Sequence, residues 1–562
     1  MYNNDSINNL LKLIENAHNN KKILEAIDNC EKLLKIIDDD NIKIIYAKNL
    51  FYANKFKKAF DIFELIFLKT KQKNIVSDLI QCAFKLDILD KFHNYCAIYI
   101  NNINDSTNIV LYNALNIGLF KKSLIQILYF RHAYINNLDY LTSECKRFKL
   151  DELIDPWSCS ISFQLSYHNM NNVFIFKYLS KTLRNICPEL NFQNRQLIIN
   201  NKIKVGFISY FFKNHSVSKD RRGIIKLLDR NIFDVYVIFI NEIIDDMSKE
   251  ISNSAIYIQL KMSLIEAYKT IIELNLDILV YCELGMCVFA YYLAHLKLAP
   301  IQINTWGHSD TSGIDTIDYF VSSKLYEITD AQKHYSEKLI LNNGLCTYYF
   351  NPLKNIEILY KTSNILEHFK DNNIYLCPGS LYKFDVKMDH IINEIITNDI
   401  KAIVILLNDD IYKDRIEYRL KQTLGLNIKK ICFMPQIGES KYFFSLLNTC
   451  HVILDTYPFG GCNTSLETLS IGKPVITMPG LFINGRFTYG FYIKMNFLDL
   501  IVDNINNYIN IVIKLTNNTN YYKYICNEIK RKSYILYENI ESVYEWNTML
   551  QELYNNYFLD KI

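Results

Sequence analysis

From about residue 200 onward the chain alternates two kinds of segment, and nothing else in the sequence limits its fold so strongly. Short apolar runs rich in β-branched residues (KVGFIS, FDVYVIFI, DILVYCEL, PIQINTW, IDYFVSS) are separated by stretches of helical periodicity such as SLIEAYKTIIELN. Runs of about 4–8 apolar residues read as strands buried on both faces. Strand–helix alternation joins parallel strands by crossovers, so it implies a parallel sheet covered by helices on both sides. A second series follows: NIYLCPGS, KAIVILLND, IKKICFMPQ, HVILDTYP and KPVITMPG. The sequence therefore predicts an α/β chain with one Rossmann-like domain over 200–350 and another over 371–530. A polar, partly helical stretch at 351–370 lies between them, and a helical tail occupies 531–562. Two such domains in succession create a cleft between the carboxyl ends of two sheets.

Residues 1–150 contain almost no glycine or proline, and their apolar spacing is helical. They also repeat. Ile23, Ala26, Cys30 and Leu33 share their spacing with Phe56, Ala59, Phe63 and Ile66, an offset of 33 residues. The same shift gives Leu89, Phe92, Cys96 and Tyr99, and a weaker copy, Phe120, Ser123, Ile127 and Phe130, follows at a shorter offset. A period near 34 is that of helix-pair repeats, in which each unit buries its apolar face on its neighbours. FYANKFKKAFDIFELIF resembles the second helix of the tetratricopeptide repeat, without its glycine. An ordinary helical bundle is the plain alternative. Residues 151–199 read as a helical connector. At roughly 100–200 residues per domain, 562 residues hold about three or four domains.

The formal net charge is only +3. Binding a polyanion needs clustered excess Lys and Arg, so nucleic acid is not an expected partner. The 14 cysteines form no CxxC pair and lie mostly in apolar runs, which favours a reducing compartment and offers no paired zinc ligands. The opening MYNNDSINNLLKLIEN has neither a basic nor an apolar secretory region. No run of about 18 uncharged apolar residues occurs, so neither membrane insertion nor a membrane partner is expected, and the expected location is cytoplasmic.

The segment richest in chemistry is DTYPFGGCNTSLETLSIGKPVITMPG, residues 455–480. A strand runs into a loop carrying Gly460 and Gly461. A helix is expected to begin at Asn463 or Thr464, with Glu467 in its first turn. Glycine lets a ligand approach the backbone closely. A helix N-terminus offers free N–H groups and partial positive charge, which suits a diphosphate. A carboxylate one turn in can accept hydrogen bonds from both ribose hydroxyls. Taken singly, these residues fit an ordinary capping box equally well.

This segment resembles the donor site of the protein O-GlcNAc transferase family, in a divergent form of bacterial or viral type. The resemblance runs through ILDTYPFGGCNTSLETLSIGKPVITMPGLFINGRFTYGFYIKM. It also takes in CPGSLYKFD at 377–385, KVGFISYFFKNHSVSK at 204–219 and APIQINTWGHSDTSGIDTIDYFVSS at 299–323. It implies a GT-B fold, two Rossmann-like domains preceded by an all-α tetratricopeptide-like segment, and transfer of a sugar from a nucleotide donor. Lys383 matches the lysine that contacts the donor diphosphate, where a fixed ammonium stabilises charge growing on the leaving group. His215 matches a cleft histidine that acts as base or positions a substrate. Glu467 stands at the ribose-binding acid, and Thr464 at a threonine near the diphosphate. Gly461, Cys462 and Asn463 complete that turn, with Cys462 and Asn463 replacing His and Thr of the animal enzymes. Gln436, Ile437 and Gly438 with Tyr442 correspond to the base-binding stretch, where an aromatic ring can stack on a nucleobase. Gly379 and Ser380 stand where the family often has Gln. The loop WGHSDTSG places His308, Asp310, Thr311 and Ser312 on the sugar and acceptor side. Arg486 is left between a phosphate and a core carboxylate.

No DxD occurs in a metal-binding loop, the acidic pairs at 245–246 and 409–410 having the wrong context, and no GxGxxG follows the first strand. By resemblance the enzyme needs neither metal nor other cofactor. The expected function is inverting transfer of GlcNAc from UDP-GlcNAc to a protein Ser/Thr hydroxyl, with the repeats presenting the acceptor protein. UDP-glucose or GDP-fucose as donor, or Asn as acceptor, is an alternative within the same class. A non-catalytic repeat scaffold with a vestigial nucleotide cleft is another.

Overall fold

A computed structural model describes residues 4–19, 22–102, 108–121, 123–144, 147–154, 162–194, 200–354, 368–408 and 411–559. The acidic pair 409–410, Cys145, Cys159 and positions 355–367 of the polar stretch lie outside the described residues. The chain forms two compact units, residues 1–120 with 155–157, and residues 121–154 with 158–562.

The first unit contains seven helices among its described residues. These are α1 (Asn4–Asn19), α2 (Ile23–Leu34), α3 (Asp40–Tyr52), α4 (Phe56–Thr70), α5 (Val76–Lys85), α6 (Leu89–Asn102) and α7 (Asn108–Leu115). The second helix of each repeat begins on the first residue of the 33-residue pattern: Ile23, Phe56 and Leu89. The spaced residues supply the core. Ala26, Cys30 and Leu33, then Ala59, Phe63 and Ile66, then Phe92 and Cys96 are all buried. The fourth copy leaves this unit. Ile127 and Phe130 are buried on α8 (Leu124–Glu144), a helix of the second unit, so the repeat unit ends before residue 150.

In the second unit, α8 and α9 (Val173–Ile186) precede two parallel sheets. The first sheet comprises β1 (Ile203–Ser209), β2 (Phe233–Phe239), β3 (Ile256–Gln259), β4 (Ile278–Tyr281), β5 (Ile301–Thr305), β6 (Tyr319–Ser323) and β7 (Lys338–Asn342). Their spatial order is β3-β2-β1-β4-β5-β6-β7. Helices α10 (Ser216–Leu227), α11 (Asp246–Ser254), α12 (Leu264–Glu273) and α13 (Val288–His295) make the crossovers. The second sheet comprises β8 (Asn373–Cys377), β9 (Ala402–Asn408), β10 (Ile431–Pro435), β11 (Val452–Leu454) and β12 (Val475–Ile476), in the order β10-β9-β8-β11-β12. Its helices are α14 (Val386–Asn398), α15 (Lys413–Leu424), α16 (Ser440–Thr449), α17 (Asn463–Ser470) and α18 (Phe487–Lys494). The chain then adds α19 (Ile505–Asn517), α20 (Thr519–Lys532) and α21 (Ile540–Leu559). Sheet order reverses between β1 and β4 and again between β8 and β11. Such switch points are where open parallel sheets bind ligands.

The tail is part of the first sheet's domain and not an appendage. Trp546 of α21 is fully buried, and its indole N–H donates to the Cys346 carbonyl at 3.1 Å. No described helix is long and apolar enough to cross a membrane.

Candidate active site

One cavity of about 620 Å³ is lined by the carboxyl ends of strands from both sheets. The first sheet contributes the loop after β1, with Asn214 and His215, and the loop after β5, from Trp306 to Ser309. The second contributes Pro378–Lys383 after β8, Gln436–Gly438 after β10, and the turn from Asp455 to Thr464 after β11.

That last turn is built around Asp455. Its buried carboxylate accepts the Gly461 N–H at 2.7 Å and the Thr477 hydroxyl at 2.8 Å, and burial pushes its pKa up. Gly460 and Gly461 fit closely into this fold-back. A Cβ on Gly460 would lie 3.0 Å from the Asp455 carboxylate, and one on Gly461 would lie 2.8 Å from the Ser465 hydroxyl. The chain then enters α17 with Cys462 as N-cap and no side-chain cap, which leaves the first backbone N–H groups of the helix without an intrahelical partner. Glu467 falls in the second turn, one turn later than the sequence suggested, and forms no capping box.

Lys383 sits against this turn. Its Nζ lies 4.6 Å from the centre of the Phe459 ring and forms no ion pair among the described residues. Burial lowers its pKa, while nearby Asp455 and the Cys462 thiol act in the other direction. A partly buried ammonium that makes no ion pair of its own is a costly arrangement. It becomes favourable once an anionic ligand enters.

His215 is the N-cap of α10. Its Nδ1 accepts the Val217 N–H at 3.2 Å, and its ring packs on Phe211 at 4.4 Å. Burial, with Lys213 and Lys219, lowers its pKa to about 4. A neutral ring whose Nδ1 is an acceptor carries its proton on Nε2. His215 is therefore arranged as a hydrogen-bond donor, which favours the positioning role over that of base. His308 also lines the cavity, stacked on Phe163 at 5.5 Å with Nε2 3.1 Å from the Ser166 hydroxyl, and burial lowers its pKa to about 4.

Several expected residues stand elsewhere. Thr311 is buried behind its loop, donating to the Glu337 carboxylate at 2.6 Å, and Ser312 binds the same carboxylate. These two anchor the loop and leave its front half, Trp306–Ser309, to face the cavity. Asp310 accepts from Ser166 and Asn172. Tyr442 is exposed on α16 beneath the Lys441 ammonium, and it is Phe443 that lines the cavity, beside Gln436, Ile437 and Gly438. Arg486 forms no ion pair with a carboxylate among the described residues. It donates to the carbonyls of Tyr326 and Gly480.

The structure adds residues that sequence reasoning passed over. Phe163 and Tyr167, from the stretch read as a connector, form an aromatic wall with Tyr382 and Phe459, Tyr167 and Phe459 being 4.7 Å apart. In a chain with 41 tyrosines and 33 phenylalanines, no local signal marks these four. Lys219 and Asp220 of α10 also line the cavity. Asp220 accepts from the Asn463 amide at 3.2 Å, and burial raises its pKa to about 6.

Two facing Rossmann-like domains, with a helix terminus and an unpaired lysine converging in the groove between them, define the GT-B class. The family model of Glycosyl transferase family 41 matches residues 179–356 and 354–541, and the chain belongs to that family. It is similar to the "Probable UDP-N-acetylglucosamine--peptide N-acetylglucosaminyltransferase SPINDLY" of Oryza sativa subsp. japonica, 24% identical over 39% of this chain and 23% of that protein. It is also similar to the corresponding protein SEC of Arabidopsis thaliana, 23% identical over 50% of this chain and 29% of that one. The matches thus span about a quarter of the length of these curated relatives. In fold it resembles the solved structure of a mutant of the Thermobaculum terrenum O-GlcNAc transferase. That likeness has a TM-score of 0.66 at 16% identity and covers all of both chains.

Proposed function

We propose that the chain is an inverting, metal-independent glycosyltransferase that moves GlcNAc from UDP-GlcNAc to a Ser or Thr hydroxyl of a protein in the cytoplasm. The observation that carries this reading is Lys383, an ammonium that forms no ion pair among the described residues and lies beside the uncapped start of α17. A diphosphate suits both, since it takes backbone N–H groups at a helix N-terminus and a cation at its flank. The relatives' printed names supply the donor and the peptide acceptor.

In this reading Gln436, Ile437, Gly438 and Phe443 hold the base, and Glu467 takes the ribose hydroxyls. The amides from Cys462 to Thr464 hold the phosphates. The acceptor oxygen bonds to the anomeric carbon from the face opposite the nucleotide while the bond from that carbon to the phosphate oxygen breaks, and the hydroxyl proton passes to solvent. Charge then accumulates on the departing UDP, where Lys383 and the α17 terminus stabilise it more than in the ground state. His215 donates from Nε2 to an acceptor or phosphate oxygen. The repeats present the acceptor.

The test is hydrolysis and transfer with a panel of labelled UDP-GlcNAc, UDP-glucose and GDP-fucose. Release of UDP and GlcNAc from the first alone is expected. Turnover of another donor redirects the assignment, and UDP binding with no turnover of any donor favours a scaffold.

A further inference from the structure

Lys219 and Glu467 lie 248 residues apart, one in each Rossmann-like domain, and both line the cavity. The Lys219 Nζ donates to Glu467 Oε1 at 2.6 Å. The side chains are 29% and 10% exposed, so the pair is largely screened from solvent. The other carboxylate oxygen, Oε2, accepts no hydrogen bond among the described residues. One residue along α10, Asp220 accepts the amide of Asn463 at 3.2 Å and 3.3 Å. Asn463 and Glu467 are one turn apart on α17, so two consecutive residues of α10 grip two successive turns of α17. The Asn463 Oδ1 is buried without a partner.

A glutamate at the edge of a cleft samples many rotamers, and a ligand must then order it at an entropic cost. Here one oxygen is fixed by a charge-assisted bond, which leaves the other in a set direction. We infer that Lys219 is a positioning residue, contributed by the first Rossmann-like domain, that presents Glu467 of the second to the vicinal hydroxyls of the donor ribose. The inference rests on the donor site proposed above. Lys219 is committed to Glu467, and Lys383 is the cation left for the diphosphate.

Calorimetric titration with UDP and with 2′,3′-dideoxy-UDP tests this role. A carboxylate hydrogen bond to two hydroxyls predicts that the wild-type protein prefers UDP by on the order of 10–100-fold. Lys219→Met is expected to weaken UDP about tenfold, leave dideoxy-UDP unchanged and so reduce the preference. Lys219→Arg is expected to restore most of it, and Lys219→Met added to Glu467→Gln to cost nothing more. Unchanged dideoxy-UDP affinity shows in the same experiment that the variant is folded. Equal weakening of both nucleotides would assign Lys219 to the diphosphate and overturn the inference, as would no weakening of either. A wild-type protein that binds neither nucleotide overturns the donor site itself, and this role with it.

Discussion

Lys383 and His215 share a condition, burial that disfavours their charged forms, and answer it differently. Lys383 stays near Asp455 and the rim of α17, where an incoming diphosphate supplies the ion-pair partner it lacks. If its work is on the leaving group, Lys383→Ala lowers turnover by on the order of 10²–10³-fold and changes UDP affinity far less. Equal losses in kcat and in UDP binding, measured by steady-state kinetics and calorimetry, would show uniform binding instead. His215 answers burial by giving up its charge. Its folded pKa of about 4 lies below the ordinary ~6.5 of imidazole, so the ring stays neutral as pH falls through 6.5 and protonates only near 4. A histidine NMR titration, assigned by difference from His215→Gln, is expected to show a midpoint near 4. A midpoint near 6.5 would return His215 to the list of bases poised for neutral pH.

At the scale of elements, the turn before α17 depends on residues without side chains. Gly461→Ala places a Cβ against the Ser465 hydroxyl and is expected to displace the first α17 amides. UDP affinity then falls by roughly tenfold, about 1.4 kcal/mol, with little change in melting temperature. Unchanged affinity would mean that these amides do not hold the nucleotide. The elements themselves were legible in the sequence wherever a local pattern decides the structure. The repeat helices begin on the residues that the 33-residue offset marks, because burial of Ala26, Ala59 and Phe92 repeats with the helix. The strand series read through because doubly covered parallel strands are continuously apolar. Legibility stopped where position is decided from afar. Whether Tyr442 or Phe443 faces the cavity is a matter of one residue's rotation on α16. Thr311 is withdrawn by Glu337, which lies 26 residues later. The pairing of Lys219 with Glu467, and the aromatic wall from Phe163 and Tyr167, exist only once distant segments meet.

At the scale of the second unit, the chain closes on itself. After completing the second sheet it returns, and α21 packs on the domain of the first. Glu545 accepts the N–H groups of Asn343 and Gly344, Asn547 accepts that of Asp229, and Trp546 fills the space beside Phe207 of β1. Trp546→Ala is expected to destabilise this unit by about 3–5 kcal/mol, the usual cost of emptying a buried aromatic site. Thermal unfolding followed with and without UDP measures it, and an unaltered melting temperature would show α21 to be dispensable. The whole account depends on one convergence, the diphosphate of the donor lying between Lys383 and the start of α17. A structure determined with UDP bound tests this most directly. The account predicts phosphate oxygens within hydrogen-bond distance of Lys383 Nζ and of backbone N–H groups from Cys462 to Thr464. A diphosphate bound elsewhere, with Lys383 still unpaired, would contradict it.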